Sequence, residues 1–205
     1  DELESENKLR RVHGGAELPH SLQEEETIQE KSVKNLQEKK LIAQKASSLI
    51  KEKDVIFVDA GSTTAFLIKE LERKDITVVT NSIHHAVQLV DKQIPTVIIG
   101  GGVKMTTDAS IGGVALNQIN QLHFDRAFIG MNGVDEGYFT TPDMEEGAVK
   151  RAILENAKQT YVLADSSKLG QSCFAKVAPI KRAIVITSKG HELLPAIKEK
   201  TEVIE

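Results

Sequence analysis

The feature that most restricts this chain is an alternation. Apolar, β-branched runs recur at 54–60 (DVIFVDA), 75–81 (DITVVTN), 94–101 (IPTVIIGG), at the start of 125–135 (DRAFIGMNGVD), at 160–165 (TYVLAD) and at 181–188 (KRAIVITS). Segments of helical character fall at 63–72, 82–91, 142–157 and 191–200. Ahead of the first run, Ile42, Ala46, Leu49 and Ile50 lie at i, i+4, i+7 and i+8, one face of an amphipathic helix within 33–53. The runs are apolar on both faces, as strands covered on both sides are. Strands alternating with helices predict an α/β fold: three layers, a mostly parallel sheet with helices on both faces. Composition agrees with a real core, since 40% of residues are hydrophobic; with 4% aromatics and no Trp, that core is aliphatic.

Sheets of this kind bind ligands at the carboxyl ends of their strands. Here those ends are small or polar: Asp59-Ala60-Gly61-Ser62-Thr63-Thr64, Thr80-Asn81, Gly100-Gly101-Gly102 with Lys104, Gly130 to Asp135, and Asp165-Ser166-Ser167-Lys168. In AGSTT, Gly61 frees the backbone, three hydroxyls follow, and the next helix points its first N–H groups at the same spot. That suits a phosphate held without an arginine; the plainer alternative is an ordinary helix N-cap. Asp59 suits sugar hydroxyls beside such a phosphate, or else bonds only backbone amides. GGGVK (100–104) lets a ligand approach the backbone near a cation, or is a tight turn. Glu146 and Lys150 stand at i, i+4 on a helix that begins near Pro142. Taken alone they read as a solvated surface ion pair.

Other classes find little support. The net charge of −4 speaks against a strongly basic nucleic-acid binder. One cysteine, Cys173, permits no internal disulfide and suits a reducing compartment, so a cytoplasmic location is expected. No apolar run has membrane-spanning length. Neither a P-loop nor a G-x-S-x-G elbow occurs, and the adjacent His84 and His85 lack companions at metal-ligand spacing. No metal and no cofactor are expected. Residues 1–32 are polar and thinly apolar, with a turn-rich HGGAELP. A chain that opens at Asp1 without Met reads as a piece of a longer protein.

Several stretches together resemble the DeoR family of bacterial transcriptional repressors: KLRRVHGGA (8–16), VDAGSTT (58–64), FDRAFIGMNGVDEGYFTTPDMEEGAVKRAI (124–153) and VLADSSKLG (162–170). HGGAELPHSLQEE, TNSIHHA and MTTDASIGGVALNQINQL are most similar to its repressors of fructose operons. The resemblance implies a remnant of a winged helix-turn-helix at 1–16, with Arg10 and Arg11 near DNA, a linker at 17–32, and a sugar-phosphate sensor at 33–205. It implies a sensor fold similar to ribose-5-phosphate isomerase and the CoA transferases. Matching positions imply effector contacts from Asp59, Gly61, Ser62, Thr63, Thr64, Thr80, Asn81, Gly101, Lys104, Asp135, Glu146, Lys150 and Lys168. Ser188 departs from the acid usual in the family after the last strand. The expected function is relief of repression by a sugar phosphate such as fructose 1-phosphate, in a homo-oligomer, away from membranes, with operator DNA as the partner and no catalysis. The alternative is an isomerase-like enzyme in which Asp135, Glu146 and Lys150 move protons.

Overall fold

Side chains of a strand alternate between its two faces, and this chain uses both. In β3 (Val55–Val58) Ile56 and Val58 enter one apolar cluster and Phe57 the other. β8 (Phe124–Gly130) repeats the division, with Phe128 on the first side and Ala127 and Ile129 on the second. The computed structural model describes residues 21–205 and, before them, a hairpin of β1 (Arg10–Val12) and β2 (Gly15–Glu17) in which Arg10 lies opposite Glu17. Most of the expected DNA-binding remnant lies outside the described residues; Arg10 and Arg11 fall on β1, where only the backbone is described.

The remaining elements follow in order. They are α1 (Ile28–Ser32), α2 (Leu36–Ser48), β3, α3 (Ser62–Glu70), β4 (Thr77–Thr80), α4 (Ile83–Asp91), β5 (Thr96–Ile98), β6 (Gly102–Lys104), β7 (Ala109–Ile111) and α5 (Gly112–Ile119). After β8 come β9 (Gly133–Val134), β10 (Tyr138–Thr141), α6 (Met144–Glu155), β11 (Ala157–Leu163), β12 (Ala175–Pro179), β13 (Ile184–Ile186), α7 (Leu194–Lys198) and β14 (Val203–Ile204). The main sheet has seven strands, ordered β14-β13-β11-β8-β3-β4-β5, and every pairing in it is parallel. Helices α2, α3 and α4 pack on one face through Ile42, Leu67 and Leu89. Helices α5, α6 and α7 pack on the other through Ile119, Ile153 and Ile197. These are the three layers the alternation predicts.

The scarce aromatics concentrate in the centre. Phe57 meets Phe124 edge to face at 5.1 Å, and Phe128 stacks on Tyr161 at 5.3 Å, each pair on its own side of the sheet. Two small antiparallel units have no counterpart in the sequence reading: the β6–β7 hairpin, and the sheet β12-β10-β9. The first amphipathic helix is also shorter than the 33–53 expected, because Asn35 in a left-handed conformation starts it.

From β3 the chain winds outward through β4 and β5, then returns to β3's other side as β8. The winding therefore reverses between β3 and β8. A crevice opens at such a reversal, beyond the carboxyl ends of the strands.

Candidate functional site

At the end of β3, Asp59 N donates to Phe128 O of β8 at 3.0 Å, tying the two central strands where they part. Gly61 is extended and precedes α3 with no side-chain cap, so the first amides of α3 are left to an outside partner. Thr64 Oγ1 donates to Gly61 O at 2.9 Å and stiffens the turn. Ala60 N donates to Asn81 Oδ1 at 2.9 Å, anchoring the loop to the end of β4.

Helix α6 supplies one wall. Asp143 caps it, accepting from Glu145 N and Glu146 N at 2.8 and 3.0 Å. One turn later Glu146 and Lys150 point inward, each 6% exposed. That corrects the surface-pair reading: the partners are not each other. Lys150 Nζ donates to Asp59 Oδ2 at 2.5 Å, and Glu146 Oε1 accepts from Thr107 Oγ1 at 2.5 Å. Burial lowers the Lys150 ammonium, but Asp59 and Glu146 prevail and hold it above its ordinary value. Asp59, 1% exposed, is pushed up by burial against the pull of Lys150. Both shifts favour holding a proton, the response of a buried cluster rich in carboxylates.

A cavity of about 50 Å³ lies over this floor. Gly61, Ser62 and Thr63 line it from α3, Glu146 and Lys150 from α6, Asn132 beyond β8, and Lys168 from the turn after β11. Ile28 and Lys31 of α1 form a further wall. Asp165 caps the Lys168 turn, accepting from Ser167 N at 3.1 Å. Among the described residues Lys168 Nζ has no ion-pair partner. A cleft of about 900 Å³, rich in polar side chains, adjoins; it shares Lys31, Asn132 and Lys168 with the small cavity. Uncapped amides, two hydroxyls and lysines around a space of roughly a few waters make an anion cradle, and the larger cleft has room for the rest of a ligand.

The structure thus gathers Gly61, Ser62, Thr63, Glu146, Lys150 and Lys168 around one cavity, with Asp59 and Asn81 immediately beneath. It places the others differently. Thr64 and Thr80 bond the local backbone, Thr80 accepting from Ser82 N at 3.1 Å. Lys104 stands behind Glu146, held by Glu25 at 2.5 Å, Asp143 at 2.9 Å and Glu146 at 3.5 Å. Gly101 serves the turn into β6, with φ +139° and no room for a Cβ beside Ile111 O. Asp135 shapes the β9–β10 turn, accepting from Gly137 N and Tyr138 N at 2.7 Å each, and from Ser172 Oγ at 2.8 Å. The proton-moving set of the enzyme alternative is therefore not assembled. Ser188 donates to Glu38 Oε2 at 3.0 Å.

Sequence reasoning missed Ile28, Lys31, Thr107 and Asn132. Of these, Asn132 lies within the polar strand end Gly130 to Asp135, whereas Lys31 lies in the expected linker and carries no signal. Among the described residues no group of three or more His, Cys, Asp and Glu could hold a metal, and no helix is long and apolar enough to cross a membrane. Cys173 is half-buried, and burial pushes its thiol up.

Comparison with known proteins adds a family. The model of the DeoR C terminal sensor domain matches residues 34–189. The chain is 45% identical over 204 residues to the uncharacterized HTH-type transcriptional regulator FruR of Bacillus subtilis, covering 98% of this chain and 81% of that protein. It is 31% identical over 208 residues to the lactose phosphotransferase system repressor of Staphylococcus epidermidis, covering 100% of this chain and 81% of that one. Among solved structures, eIF2B beta from Chaetomium thermophilum superposes with TM-score 0.54 at 15% identity, covering 82% of this chain and 54% of that one. Ribose 5-phosphate isomerase A from Methanocaldococcus jannaschii gives TM-score 0.49 at 23% identity, over 66% and 55% of the two chains. The eIF2B likeness concerns the fold alone.

Proposed function

Because this chain belongs to the DeoR family of transcriptional repressors that control sugar operons, we propose that it senses a phosphorylated sugar, with fructose 1-phosphate the first candidate, and that binding relieves repression of a fructose-utilisation operon. One observation carries the reading: an uncapped helix start with Ser62 and Thr63 faces Lys168 across a cavity of anion size that adjoins a roomy polar cleft. The phosphate sits on the α3 amides and the two hydroxyls. The carbohydrate extends into the larger cleft, where Asn132 offers hydrogen bonds. Asp59 supports this arrangement indirectly, by holding Lys150.

Operator DNA is reached through a helix-turn-helix domain of which residues 1–16 are the remnant, in keeping with the helix-turn-helix type of the Bacillus subtilis relative. The effector shifts the repressor between arrangements only by its differential affinity for them. A coupling of about 1–3 kcal/mol gives roughly 5- to 150-fold derepression. The working form is a cytoplasmic homo-oligomer.

Titration calorimetry tests the site. A Ser62→Asp substitution puts a carboxylate where the phosphate rests, so heat of binding to fructose 1-phosphate should vanish while the fold persists. Undiminished binding by that variant would place the phosphate elsewhere.

A further inference from the structure

The sensor family's match begins at residue 34, yet one wall of the cavity comes from before it. Residues 21–32 cross the carboxyl edge of the sheet as a strap. Phe174 N donates to Leu22 O at 2.9 Å and Ile28 N to Thr106 O at 2.8 Å, fixing the strap at two points. Thr27 and Glu30 close α1 with a reciprocal cap, Thr27 N donating to Glu30 Oε2 at 2.7 Å. Lys39 Nζ donates to Lys31 O at the strap's end. The next residues are tied to the site's own cation: Asn35 Nδ2 donates at 2.9 Å to Asp165, the residue that caps the Lys168 turn.

The charges on the strap are arranged for an exchange. Glu25 Oε2 lies 2.5 Å from Lys104 Nζ, and Glu25 Oε1 lies 3.7 Å from Lys31 Nζ. That second oxygen is buried and has no hydrogen-bond partner among the described residues. Lys31 faces the cavity that Ser62 and Thr63 line. It is therefore a cation paired loosely, at more than hydrogen-bond distance, with a carboxylate whose own bonding is incomplete. A phosphate on the α3 amides would offer Lys31 a closer partner and would repel Glu25. Burial already pushes the Lys31 ammonium down against the pull of Glu25, so a closer anion is favoured there.

Accepting the site reading above, we infer that residues 21–32 are the moving wall of the effector site: Lys31 binds the phosphate in exchange for Glu25, and the strap shifts as it does so. The segment leading toward the N-terminal residues thereby reports occupancy directly.

The chain contains no Trp, so a Leu22→Trp substitution gives a single fluorescent reporter on the strap, at a side chain 54% exposed. Fructose 1-phosphate, inorganic phosphate and unphosphorylated fructose are titrated into this reporter protein and its Lys31→Met and Glu25→Gln derivatives, by fluorescence and calorimetry. Fructose 1-phosphate should change the emission with the same half-saturation as the heat, and fructose should not. Lys31→Met should weaken sugar-phosphate binding by roughly ten- to a hundredfold, the loss of one charge-assisted contact. Glu25→Gln should tighten it severalfold. Opposite signs separate charge exchange from mere cover, since a strap acting only as a lid would weaken in both variants, and that result overturns the inference. Full-strength binding in both variants, or emission that ignores bound sugar phosphate, overturns it too while leaving the site reading intact. Failure of the unsubstituted protein to bind any hexose phosphate removes both.

Discussion

His85 shows how much one side chain behind a binding loop can matter. It is 2% exposed on α4, and its Nδ1 has no hydrogen-bond partner among the described residues. Burial pushes its pKa down to about 4 from 6.5; the Gly61 backbone opposes this and His84 adds to it. The unfolded chain takes up this proton as pH falls below about 6.5, whereas the folded chain resists until about 4. Stability linked to His85 is thus complete above the upper value and lost on descending through the window, by about 3 kcal/mol in all. Urea unfolding at a series of pH values should show a shallower loss between pH 7 and 4 for His85→Leu than for the parent; parallel slopes would contradict a buried neutral imidazole. At this scale the sequence was partly legible. Ser62, Thr63 and Lys168 could be found because chain order alone puts them at strand ends. Asp135 and Lys104 could not be sorted that way. Their neighbours Tyr138, Ser172 and Glu25 claim them, and those contacts arise only from the packed loops.

Among the elements, apolar β-branched runs were readable and segments broken by turn residues were not. Strand β3 is apolar throughout, and β4, β8 and β11 each contain a buried apolar run (Val78–Val79, Ala127–Ile129, Tyr161–Leu163), which identifies them. Strands β9 and β10 lie in the turn-rich stretch NGVDEGYFTT, and what holds them is shape. A Cβ on Gly133 would lie 2.4 Å from both Gln171 O and Thr140 Oγ1. Gly133→Ala should therefore cost about 1–3 kcal/mol as overpacking, read as a lower urea midpoint at unchanged m. Gly113→Ala in α5 meets nothing within 4 Å. It should leave stability unchanged or raise it by up to about 1 kcal/mol. A Gly133 variant as stable as the Gly113 variant would mean that the β9–β10 turn can yield. The strap is the element least visible beforehand. Its composition is that of a connector, and only its hydrogen bonds to Thr106 and Phe174 make it part of the site.

For the whole molecule, the alternation of strands and helices carried nearly all the information, and the order of the strands carried none. That Asp59 meets Lys150 follows from the reversal between β3 and β8, which no local pattern encodes. A ligand held across that reversal stabilises the entire domain. At a hundredfold excess over Kd the gain is about 2.7 kcal/mol, a rise in Tm on the order of 5–10 °C for a chain this long. A thermal-shift panel of sugar phosphates should single out one compound with that response; a panel that leaves Tm unmoved throughout speaks against the cavity as an effector site. The meeting of Asp59 and Lys150 across 91 positions of sequence also bears on how the protein is made. During synthesis Asp59 emerges well before the helix that neutralises it, and pairings so remote form late. If the proposed site is the sensor, a copy still being synthesised lacks it until the last central strand and the Lys168 turn are laid down, and cannot yet answer a metabolite.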